Sequence, residues 1–133
     1  MRHLCSLEKL DLSGCEAIEA LPEWLGDLTS LQSLFISRCP RLNNLPESMR
    51  HLSSLQILSL TNCGGIEALP EWLGDIVSLM QLHICSCAAI VSLPESIQQL
   101  TNLEDLYIWG CPALQQWCNS EENKTKIAHI KKV

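Results

Sequence analysis

Basic side chains are scarce in this 133-residue chain: nine lysines and arginines stand against fifteen aspartates and glutamates, a net charge of −6. Proteins that bind DNA or RNA displace counterions from phosphates with clustered lysine and arginine, so this balance argues against nucleic acid as a partner. Aromatic residues number only six, and no apolar run reaches the roughly 18 residues that a membrane span requires. The opening stretch MRHLCSLEKLDL has no unbroken apolar region of the kind a secretory leader carries. No GxxxxGKS/T or GxGxxG segment offers a nucleotide cradle, no GxSxG offers a serine nucleophile, and neither HExxH nor paired CxxC supplies metal-ligand spacing. These absences predict a non-enzymatic chain without cofactor or metal, cytoplasmic or nuclear, with no membrane span.

Apolar material is abundant, at 47% of residues, which excludes a disordered chain and suffices for one hydrophobic core. Its arrangement is periodic. Leu7, Leu31, Leu55, Leu79 and Leu103 stand 24 residues apart, as do Leu10, Leu34, Leu58, Leu82 and Leu106. Leu12, Ile36, Leu60, Ile84 and Ile108 keep the same step, and so do Cys15, Cys39, Cys63, Cys87 and Cys111. The second half of each unit carries Leu-Pro at 21–22, 45–46, 69–70 and 93–94, and no insertion breaks the register. The fifth copy alone departs, with Trp117-Cys118 in place of Leu-Pro. A longer period overlies the first, because IEALPEWLGD at 18–27 recurs unchanged at 66–75 while LPES recurs at 45–48 and 93–96. Duplication of a two-repeat block accounts for it.

The unit LxxLxLxxC followed by xxIxxLPxxL is a leucine-rich repeat. Its LxL alternation makes a short strand with both leucines inward, so the chain is expected to be an α/β solenoid of about five 24-residue repeats. Strands are predicted near 10–12, 34–36, 58–60, 82–84 and 106–108, in a parallel concave sheet. Proline opens the runs PESMRHL and PESIQQL, predicted as short helical turns on the convex side. The cysteine column lies where the chain leaves each strand, where a small buried donor can satisfy backbone carbonyls. A disulfide ladder is the rival reading. Parallel strands about 4.8 Å apart hold Cβ atoms near that same spacing, beyond the roughly 3.8 Å a disulfide prefers. His3, His51, His83 and His129 occupy different phases of the repeat and converge on no metal.

The outward strand positions form a grid with Asp11, Phe35, Ser59, His83 and Tyr107 at its centre and Ser13, Ser37, Thr61, Cys85 and Trp109 beside them. Phe35, Tyr107 and Trp109 are half of the aromatic residues and all hold solvent-facing phases, the composition of a protein-interface anchor with Arg38 as charged companion. The candidate partner-binding set is Phe35, Arg38, Ser59, His83, Tyr107 and Trp109. The bland alternative for Tyr107 and Trp109 is that the C-terminal segment folds back over them. Trp24 and Trp72 share a convex phase and are expected to pack between repeats. Residues 1–118 are read as solenoid and 119–133 as a tail or cap, with Ser120 capping a helix and Ile127 and Ile130 docking on repeat five. The tail carries four lysines against two glutamates and the body five basic against thirteen acidic side chains, so the two attract. Leu4 falls at a convex leucine position with no cap before it, which suggests the end of a longer array.

The segments LTSLQSLFISRCPRLNNLPESM, LPEWLGDIVSLMQLHICSC and, above all, LEDLYIWGCPALQQWC with KIAHIKKV resemble the C-terminal repeats of plant intracellular nucleotide-binding leucine-rich-repeat disease-resistance proteins of the coiled-coil class. The resemblance covers essentially the whole chain. It implies a protein-interaction module whose partner is a pathogen effector, a guarded host protein or the receptor's own nucleotide-binding region. It carries over neither switching nor ATP hydrolysis, since the coiled-coil and nucleotide-binding regions are not in this sequence. Two other homes for LPxxL repeats are an intracellular scaffold of the Ras-interacting type and a ubiquitin-ligase substrate receptor. A thiol-based redox or metal protein is a third class, distinguishable by a low-pKa cysteine or stoichiometric zinc.

Overall fold

A computed structural model describes residues 6–131, so the positions expected for Leu4 and His3 lie outside the described residues. Five strands, β1 (Lys9–Ser13), β2 (Ser33–Ser37), β3 (Ile57–Thr61), β4 (Gln81–Cys85) and β5 (Asp105–Trp109), make one parallel sheet in chain order. Each predicted strand core is present and extends one residue further at either end. Pairing keeps a single register throughout, from Lys9 opposite Ser33 to Cys85 opposite Trp109. The LxL alternation does what period two requires. Leu34, Ile36, Leu58, Leu60, Leu82 and Ile84 are 0–1% exposed, while the residues between them face outward and are half-buried.

The chain returns through four 3₁₀ turns, Glu23–Asp27, Glu47–His51, Glu71–Asp75 and Glu95–Gln99, on the side opposite the sheet. A proline precedes each, with φ between −67° and −74° and ψ extended, so the turn begins abruptly after an extended Leu-Pro step. The turns close with short bonds such as Leu25 N–H to the Pro22 carbonyl and Leu28 N–H to the Leu25 carbonyl. Five residues are too few to repay α-helix nucleation, and the tighter coil aims Leu25, Met49, Leu73 and Ile97 into the core. Trp24 and Trp72 pack partly buried against that core, as expected.

The turns are not equivalent neighbours. A Cβ on Gly26 would strike the Ser48 backbone and a Cβ on Gly74 would meet Ser96 Cβ at 2.5 Å, so the first turn nests on the second and the third on the fourth. The Ser48 hydroxyl secures the first fit by donating to the Glu23 carbonyl at 2.6 Å. Between the second and third turns glycine is replaced by Arg50, which instead reaches Glu47 at 2.9 Å and Asp75 at 2.8 Å.

After β5 the chain enters α1 (Pro112–Asn119) in place of a fifth Leu-Pro turn. Proline at the first helical position and the run Ala-Leu-Gln-Gln favour the α-helix, which buries Leu114 and Cys118. Ser120 then caps α2 (Glu121–Lys126), its hydroxyl accepting from the Asn123 N–H at 3.2 Å. Ile127 and Ile130 are 5% and 6% exposed, so this stretch of the tail is docked on the solenoid. Lys126 meets Glu95 at 2.7 Å and Lys131 meets Glu104 at 3.7 Å, the expected attraction between a basic tail and an acidic body.

Candidate interaction surface

Every strand is followed by a residue in the left-handed backbone region: Gly14 (φ 71°), Arg38 (54°), Asn62 (56°), Ser86 (55°) and Gly110 (69°). This twist turns the backbone N–H toward the neighbouring repeat. Gly14, Arg38, Asn62 and Ser86 donate to the carbonyls of Ser37, Thr61, Cys85 and Trp109 at 2.7–3.0 Å. The chain then drops inward to the cysteine column, where Cys39, Cys63, Cys87 and Cys111 are 0–1% exposed. The Cys63, Cys87 and Cys111 thiols each face two carbonyls, one two residues back at 3.4–3.5 Å and one in the preceding repeat at 3.6–3.7 Å. The column is thus a ladder of buried donors tying each strand exit to its neighbour. The Cys63 thiol and burial hold Cys87 above its ordinary pKa, and burial pushes Cys118 up to about 11.

This scaffold presents the sheet face as a ruled grid. Phe35 is half-buried on β2 with the Lys9 ammonium 5.3 Å from its ring centroid, so one face of the ring already holds a cation from the same chain. Ser59 is half-buried on β3. His83 and Tyr107 meet edge to face at 5.9 Å, which seats Tyr107 without covering it. Tyr107 is 54% exposed and Trp109 is 61% exposed. Among the described residues the C-terminal segment does not fold over them, because α1 and α2 close against the other side, where Lys126 joins Glu95 on the fourth turn. No described residue of the tail covers these two rings. Arg38 lies at the rim of the sheet and donates from Nη2 to Ser13 Oγ at 2.9 Å.

Among the described residues no three His, Cys, Asp or Glu side chains converge into a metal site, and no helix is long and apolar enough to cross a membrane. A recess of about 170 Å³ opens between β5 and α1, lined by Ile108, Gln115, Cys118 and Asn119. Its size is well below that of a typical small-molecule pocket. Two features of the surface escaped sequence reading, the Lys9–Phe35 stack and the left-handed row. The stack depends on a side chain crossing between strands. The row had a signal in Gly14, Asn62 and Gly110, residue types that tolerate positive φ, masked by Arg38 and Ser86 at the same phase.

Parallel strands in constant register, turns on the opposite side and an inward ladder of small donors define a leucine-rich-repeat solenoid. A family model described as "Leucine-rich repeat region" matches residues 7–128, and the chain belongs to that family. The family generally serves as a non-enzymatic scaffold for protein–protein interaction. No curated protein matches the sequence. Among solved structures, a leucine-rich-repeat protein of Leptospira interrogans superposes with a TM-score of 0.77 at 24% identity over 99% of this chain and 32% of its own. The leucine-rich repeat domain of the type III effector XopL superposes at 0.64 with 20% identity over 85% of this chain and 56% of its own. The chain therefore spans about a third and just over half of these two neighbours, and the likeness is one of fold.

Proposed function

We propose that this chain is a protein-binding module of the kind found in the leucine-rich repeats of plant intracellular disease-resistance receptors, acting in the cytoplasm or nucleus through its open sheet face. The observation that carries the reading is the exposure of Tyr107 and Trp109 on β5, two of six aromatic residues, in a molecule whose tail packs elsewhere. Large rings seated on a rigid sheet and left wet are the composition of an interface anchor. The sequence endings WGCPALQQWC and KIAHI support the receptor class. In that setting the contact set is Phe35, Arg38, Ser59, His83, Tyr107 and Trp109, residues 119–133 form the cap of a solenoid over 1–118, and the partner is a pathogen effector, a guarded host protein or the receptor's nucleotide-binding region.

The test begins with the transcript that encodes the chain. A P-loop region encoded upstream is expected, and once expressed it should bind this chain in a calorimetric titration. Paired Tyr107→Ala and Trp109→Ala substitutions should weaken that binding about tenfold or more with an unchanged circular dichroism spectrum. A transcript without a P-loop removes the receptor class, and undiminished binding by the double variant removes the sheet face as the contact surface.

A further inference from the structure

One row of the sheet face joins two unlike spots. At one end the Arg38 side chain rises from a left-handed residue just past β2 and gives a single hydrogen bond, from Nη2 to Ser13 Oγ at 2.9 Å. Ser13 Oγ also accepts from Ser37 Oγ at 3.2 Å. A guanidinium has five N–H donors, so most of the Arg38 fork and the Ser13 O–H proton remain to be used. Among the described residues no carboxylate lies within ion-pair distance of Arg38, whereas Arg50 on the turn side holds both Glu47 and Asp75. At the other end of the row stands Trp109, 61% exposed, beside Tyr107. Ser13, Ser37, Thr61, Cys85 and Trp109 are partners in register, so Ser37, Thr61 and Cys85, all short and half-buried, make the floor between the two spots.

We propose that this row is a bipartite site for an extended peptide segment that carries an aspartate or glutamate side chain and, about six residues away, a large apolar or aromatic one. The proposal rests on the sheet face being a protein-binding surface and names the chemistry of what binds there. Four strand spacings of about 4.8 Å separate Ser13, where the Arg38 fork lies, from Trp109, roughly 19 Å, which an extended chain at about 3.3 Å per residue crosses in about six residues. The carboxylate accepts from the planar Arg38 fork and from the Ser13 hydroxyl, a geometry that suits arginine better than lysine. The apolar side chain lies on the Trp109 ring. Charge sets the register of the segment: among the described residues Arg38 has no carboxylate partner, so it is the point on this row where an acidic side chain is held.

The experiment is a nuclear magnetic resonance titration of the isotope-labelled full chain with the capped heptapeptide Glu-Ser-Gly-Ser-Gly-Ser-Phe and its reversed sequence. One of the two should move the Trp109 indole N–H and Arg38 Nε–H signals along a common saturation curve. Replacing Glu by Gln, or Phe by Ala, should weaken binding at least fivefold. The Arg38→Gln chain should bind the Glu and Gln peptides equally while the Trp109 signal still moves, and Arg38→Gly, which relieves the left-handed backbone, should do the same. Absence of saturable shifts for both orientations overturns the proposal, as does a Glu preference that survives in both Arg38 variants. Equal binding of Glu and Gln peptides by the unaltered chain overturns the bipartite site and leaves the broader protein-binding reading intact. A transcript without a P-loop overturns the receptor reading and leaves the peptide result standing.

Discussion

Left-handed residues recur once per repeat, and their energetic weight depends on which side chain occupies them. A non-glycine residue there costs about 1 kcal/mol or more because Cβ crowds the following carbonyl. Gly14 holds φ 71°, and a methyl group added to it would meet nothing nearer than Arg38 Nη2 at 4.0 Å, whereas Gly64 is in open space without positive φ. Chemical denaturation should therefore show Gly14→Ala losing about 1 kcal/mol and Gly64→Ala unchanged or slightly more stable. The cysteine ladder gives a second prediction at this scale. Cys63 is fully buried and its thiol faces the Ile36 and Thr61 carbonyls, the second of which also accepts the Arg38 N–H, so Cys63→Ala removes a weak donor from both and opens a small void. A loss of about 1–2 kcal/mol is expected, with Cys63→Ser recovering part of it by restoring a donor.

Among elements, the 3₁₀ turns show how packing alternates. Gly26→Ala and Gly74→Ala each drive a methyl group into the facing serine of the next turn, so each should cost about 2 kcal/mol or more, well beyond the helix-propensity change, which thermal melting would register. Arg50→Ala removes two ion pairs whose side chains are 40–70% exposed and should cost no more than about 0.5 kcal/mol. The strands, the inward leucines, the Leu-Pro steps and the Ser120 cap were legible because each rests on periodicity or on a local donor–acceptor rule. The nesting of turns in pairs was not, although the duplicated IEALPEWLGD and LPES segments bear its imprint. Period alone reveals duplication, and only three dimensions show that glycine faces serine. The α1 helix was equally hidden, since Leu114 continues the leucine phase while Pro112 and the residues after it change the backbone.

For the whole molecule, the buried Cys118 thiol on the C-terminal helix α1 contributes to the response to alkali alongside the buried cysteine column. The Cys118 thiol is 7% exposed and raised to about 11 from an ordinary 9.0, so the folded chain keeps its proton where the unfolded chain has released it. Its contribution is complete below pH 9 and falls as pH rises toward about 11. Denaturation midpoints should therefore drop between pH 9 and 11, by a free energy on the order of 2 kcal/mol from this group, and Cys118→Ala should flatten that slope. Of the surface, the outward phases of Phe35, Tyr107 and Trp109 were legible from strand alternation. Which rings stay wet was not, because that depends on where α1 and α2 dock.

The paired turns also constrain how such a chain can grow. Recombination that adds or removes 48 residues preserves every glycine-to-serine fit, and the exact recurrence of IEALPEWLGD is what such an event leaves behind. A 24-residue deletion would instead set Glu47–His51 directly against Glu95–Gln99, two turns with no glycine between them. The heritable unit of this solenoid is two repeats, even though its sequence period is one.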